Sequence, residues 1–100
     1  MTVFEWIQGQ GVNSSDIDFI ETVLVNQSVY EYGGINDTQL TDIILRNFPQ
    51  KICHLRQPMT LSGFEKPLDY NNISINGQET VRYCLDQGLC TALCNRMLND

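Results

Sequence analysis

Apolar side chains recur along this chain at the three- and four-residue steps of an α-helix, in stretches separated by glycine, proline and asparagine. Thr2 followed by Glu5 is a capping-box pattern, which predicts a first helix over 3–8, anchored by Phe4, Trp6 and Ile7 and ended by Gly9. A second start signal at Ser14 or Ser15 leads into Ile17, Ile20, Val23 and Leu24, a helical run reaching about Asn26. Asp16 and Asp18 fall in its first turn, where the helix dipole favours negative charge. Asp37 or Thr38 caps a third helix with Leu40, Ile43, Ile44 and Phe48 on one face. Asp42 and Arg46 pair on its outside, and Pro49 ends it.

Residues 78–98 read as two short helical arms hinged at Gly88, which can take the left-handed conformation that ends a helix. Val81, Cys84 and Leu85 share a face of the first arm, and Asn76 with Glu79 supplies its capping pattern. On the second arm Leu89, Leu93 and Met97 form one row, and Cys90, Cys94 and Leu98 the row beside it. Two stretches break the helical period. Residues 28–34, with Tyr30 and Tyr32 alternating around Glu31 before Gly33 and Gly34, read as a short strand or exposed loop. Residues 50–76 hold Pro58, Pro67 and Ser62-Gly63, and there 51–56 and 72–75 are the two candidate strands. The expectation is a mainly α single domain over 1–100: four to five short helices with a C-terminal αα-hairpin, and α+β character only through a small two-stranded element.

A chain of 100 residues that is 42% hydrophobic and 18% charged is long enough for one packed core and too short for two. No apolar run approaches the roughly 20 residues that span a bilayer, so no membrane role is expected. The N-terminal stretch lacks a basic region, carries Glu5 and breaks at Gly9 and Gly11, unlike a signal peptide. A cytoplasmic setting with reduced thiols is therefore the expectation. The net charge of −6 is unevenly placed. Residues 1–50 hold seven carboxylates (Glu5, Asp16, Asp18, Glu21, Glu31, Asp37, Asp42) against Arg46 alone, whereas residues 51–100 hold five charges of each sign. Such a surface repels phosphate backbones and acidic lipids and attracts basic protein surfaces.

Three other chemistries are weighed against that background. Cys84, Cys90 and Cys94 with Cys53-His54 offer enough donors for zinc, but no pair of short Cys-x-x-Cys knuckles is present. Cys90 and Cys94 also lie in an apolar helical stripe, where a thiol behaves as a small hydrophobe. A zinc-stabilised or redox-sensitive module is one alternative, and a helix-turn-helix-like DNA-binding regulator built on 78–98 is another; no metal or other cofactor is expected. His54 is the sole histidine and no Gly-rich oxyanion or phosphate loop accompanies it, so no catalytic residues and no enzyme activity are expected. The helix–Gly–helix of 78–98 partly matches a helix-turn-helix DNA reader. Its cations Arg82 and Arg96, however, are cancelled by Glu79 and Asp86, which argues against direct nucleic-acid contact.

The acidic half carries the leading expectation: a non-enzymatic protein that binds a basic surface on another protein. Asp16, Asp18, Glu21, Glu31, Asp37 and Asp42 would present charge, with Tyr30 and Tyr32 as interface anchors. The most concrete form is an inhibitor that blocks a nucleic-acid-binding groove. Phage-encoded inhibitors of host defence, anti-CRISPR proteins among them, are commonly of this size and acidity.

Overall fold

A computed structural model describes residues 1–55 and 57–99. Arg56, the end of one predicted strand, and Asp100, counted in the charge balance, lie outside the described residues. Six helices follow one another among the described residues: α1 Val3–Gly9, α2 Ser14–Glu31, α3 Asp37–Asn47, α4 Leu61–Tyr70, α5 Gly77–Asp86 and α6 Thr91–Asn99. None is long and apolar enough to cross a membrane. The mainly α expectation holds, with more helices than anticipated and no strand among the described residues.

The starts are set by local capping. The Thr2 hydroxyl accepts the Glu5 amide while Glu5 accepts the Thr2 amide, and Asn36 and Gln39 repeat that exchange at α3. Asn36, rather than Asp37 or Thr38, is therefore the cap of α3. Asn13, Thr60 and Asn76 cap α2, α4 and α5 by accepting one amide each. Three ends share another device. Gly33, Asn72 and Gly88 take positive φ, at 87°, 56° and 75°. The following amides then turn back onto carbonyls of the last turn, Gly34 to Val29, Ile73 to Leu68 and Leu89 to Cys84, each at 2.9 Å.

Two expectations are corrected. The first concerns residues 28–31, which are not strand or loop but the last turn of α2. Tyr30 and Tyr32 alternate over too few residues to define a strand, and Glu31 is held in helical register by Gln27 one turn back, at 2.7 Å. The second concerns 51–55 and 72–75, which do not form a ladder. The side chain of Asn71 instead accepts from the Ile52 amide and donates to the Ile52 carbonyl, both at 2.8 Å, supplying the two bonds that a paired strand would have offered. Between these segments lies α4, which the breaker residues concealed. Pro67 sits inside it and removes one backbone bond, while Leu61, Phe64 and Leu68 keep helical spacing and place Phe64 and Leu68 in the core.

One core joins all six helices: Val3 and Ile7 from α1, Phe19, Ile20, Val23 and Leu24 from α2, Leu40 and Ile44 from α3, Phe64 and Leu68 from α4, Val81 and Cys84 from α5, and Leu93, Cys94 and Met97 from α6. The α5–α6 hairpin forms, although Leu89 and Cys90 lie in its turn rather than on the second arm. Beside the apolar core runs a polar clamp. Gln27, fully buried, donates to Glu31 and to Gln57, both at 2.7 Å, and accepts from Gln57 at 2.9 Å. Arg96 of α6 grips Glu31 through two bonds of 2.8 Å and donates to the Met59 carbonyl at 2.6 Å. The clamp fastens α2 to both α6 and the 57–59 segment.

Because Glu31 is three-quarters or more withdrawn from water, removing its cation strands a charge. Arg96→Met is expected to cost about 3 kcal/mol in urea unfolding, and adding Glu31→Gln to it should cost less than the sum of the two single changes.

Candidate interaction surface

The eight residues singled out in the sequence separate into two groups. Five are engaged within the fold. Asp16 pairs with Lys51 at 2.6 Å, with both side chains largely covered, and Lys51 also lies over the Phe19 ring at 6.0 Å. Glu31 belongs to the Arg96 clamp, and Asp42 pairs with Arg46 at 2.6 Å on the outside of α3. Tyr30 packs against the core, and the neighbouring Asp37 carboxylate holds its phenol above the usual titration range. Asp16 and Glu31 are thus neutralised by cations from the second half of the chain. The surplus of negative charge in residues 1–50 is spread less freely over the surface than its sequence distribution implies.

The other three, Asp18, Glu21 and Tyr32, are exposed and share one side of α2. Among the described residues neither Asp18 nor Glu21 meets a cation. The same side presents Val25 and Val29, 44% and 39% exposed, and ends at Tyr32, 61% exposed. Positions 18, 21, 25, 29 and 32 step by three or four, so they form one stripe along the helix. Its opposite face buries Phe19, Ile20, Val23, Leu24 and Gln27. α2 therefore carries apolar residues on both sides, and the Ile17, Ile20, Val23, Leu24 row marks only the inner one. Val25 and Val29 standing i, i+4 outside that row was the available signal.

At the middle of the stripe a small cleft opens between α1, α2 and the α5–α6 turn. Phe4, Leu24, Val25 and Leu89 give it apolar walls, Cys84 and Cys90 contribute thiols, and Glu21 stands among its lining residues. The volume is about 70 Å³.

The thiols are turned inward. Cys84 donates to the Cys94 sulfur, and Cys94 reaches the Leu89 carbonyl at 3.6 Å. Cys90 approaches the Leu24 carbonyl at 3.9 Å. The hydrogen bond to Cys94, with burial behind it, drives the Cys84 thiol strongly upward, and the same bond lowers Cys94. Burial raises Cys90 and pushes Cys53 up to about 11. No group of three or more His, Cys, Asp or Glu among the described residues is placed to hold a metal ion. His54 is exposed beside Pro58, Lys66 and Tyr70. In the 78–98 unit Arg82 faces solvent, whereas Arg96 is committed to Glu31 and cannot serve a phosphate without breaking the clamp.

No protein-family model, curated protein or solved structure matches the chain, so this surface is read from its own chemistry.

Raised thiols stabilise the fold only while protonated. Their contribution is complete below the unfolded thiol value of about 8.5 and is lost as pH climbs toward the folded values. Thermal melting in reducing buffer should therefore decline from about pH 8.5 up to about 11, and Cys53→Ala should flatten that decline.

Proposed function

We propose that the protein is a non-enzymatic binding module whose partner is a basic protein surface, and that the outer side of α2 makes the contact. The observation that carries this reading is the coincidence, on one helical face, of two exposed carboxylates that meet no cation among the described residues with three exposed apolar or aromatic side chains. Monomeric proteins seldom leave such side chains aligned in the open, whereas interfaces combine an apolar centre with a charged rim. Asp18 and Glu21 steer a cationic partner, and Val25, Val29 and Tyr32 supply the area that water leaves on contact. Asp37 and Asp42, on the exposed side of α3, add to the attracting field although each already has a local partner. The net charge of −6 acts in the same direction.

The most concrete version is an inhibitor. A protein that covers Lys and Arg lining a nucleic-acid groove replaces the phosphates which those cations would otherwise hold, and need perform no chemistry. This assigns the carboxylates of Asp18 and Glu21 a charge role and assigns none to Asp16 or Glu31, whose cations come from within the chain.

The intact chain is the bait for a random peptide library in low-salt buffer. Enriched peptides should combine Lys or Arg with aliphatic residues. Asp18→Lys with Glu21→Lys should weaken their binding by about tenfold, chiefly through the association rate, and flatten its salt dependence. Melting temperature should stay within a few degrees of the parent, while Asp16→Lys should lower it by setting two cations together. Enrichment of neutral or acidic peptides, or indifference to the double reversal, would sink the proposal.

A further inference from the structure

We infer that the element received by this surface is a basic amphipathic α-helix, and that it seats the stem of one Lys or Arg in the cleft beside Glu21. The inference rests on the outer side of α2 being the docking surface, and it specifies what docks there. The stripe from Asp18 to Tyr32 is a straight track of about 21 Å, at 1.5 Å per residue. Its steps of three, four, four and three residues are those by which one helix meets another along a shared seam. An extended segment would need an open backbone edge to pair with, and the described residues contain no strand to offer one.

The cleft selects the anchor. At about 70 Å³ it is less than half the size of a cavity that admits benzene (about 150 Å³), which excludes an aromatic ring and leaves room for a hydrocarbon stem. Phe4, Leu24, Val25 and Leu89 favour methylene groups, and Glu21, an exposed member of the lining, favours a cation beside them. A side chain with an apolar stem and a charged end satisfies both. A second copy of this chain fits poorly. The stripe holds carboxylates and no cation, and both copies would bring −6 to the contact.

The test titrates the isotope-labelled intact chain with helical peptides of about three heptads. One carries leucines in heptad register with a central lysine, a second has the same composition with the leucines scattered around the helix, and a third replaces the central lysine by norleucine. The ordered peptide should bind at least about tenfold more tightly than the scattered one and perturb the amides of Val25, Val29 and Leu89. Glu21→Gln should weaken the lysine peptide about fivefold more than it weakens the norleucine peptide, because only the first pair contains the anchor contact removed. Equal affinity of ordered and scattered peptides overturns the helix assignment while the charge-led function stands. Equal sensitivity of the lysine and norleucine peptides to Glu21→Gln overturns the anchor. Absence of binding by every basic peptide at low salt, or perturbation confined to other faces, overturns the inference and the function together.

Discussion

Gln27 is the buried group that the architecture must satisfy. A primary amide removed from water brings two donors and an acceptor, and leaving any of them unmatched costs more than a hydrogen bond usually contributes. Here Gln57 answers with a reciprocal amide pair, and Glu31 takes the remaining hydrogen. Glu31 then requires a cation, which Arg96 provides with two bonds while also holding the Met59 carbonyl. Each group is thereby matched only because the next one is in place. The chain of bonds fixes the end of α2, the 57–59 segment and the start-to-end position of α6 relative to one another, a registration that apolar packing alone specifies weakly.

That clamp also accounts for the two-sided character of α2. With its inner side committed to the core and its last turn held by Glu31, the helix runs unbroken to Glu31, Tyr32 caps it, and Gly33 reverses the chain. Val25 and Val29 are consequently presented outward on a supported element rather than on a loop. A docking surface gains from such support, since little ordering is lost when a partner arrives. Folding and presentation thus draw on the same helix through opposite faces.

Charge distribution along the chain proved a poor guide to charge distribution in space. In sequence no nearby cation sets Asp16 and Glu31 apart from Asp18 and Glu21, since residues 1–50 hold Arg46 as their one cation. The fold carries Lys51 and Arg96 to the first two and brings none of the described cations to the second two. Four acidic residues became two structural ion pairs and two exposed carboxylates, and the candidate surface contracted from most of the acidic half to one side of α2.

What the amino-acid order decided by itself is whatever depends on neighbours within a turn or two. The capping exchange of Thr2 and Glu5, the helical rows of α3 and α5, the Asp42–Arg46 pair and the reversals at Gly33 and Gly88 all rest on atoms three to five residues apart, and each is readable from spacing. Tertiary structure decided the rest. Residues 28–31 stay helical because Glu31 meets Arg96, α4 persists through Pro67 because Phe64 and Leu68 find a core, and Asn71 stands in for a strand because the fold delivers Ile52 to it. In each case the deciding partner comes from a distant part of the chain. Local propensities differ by less than the free energy such a contact contributes, and a single sequence carries no record of which distant residues will meet.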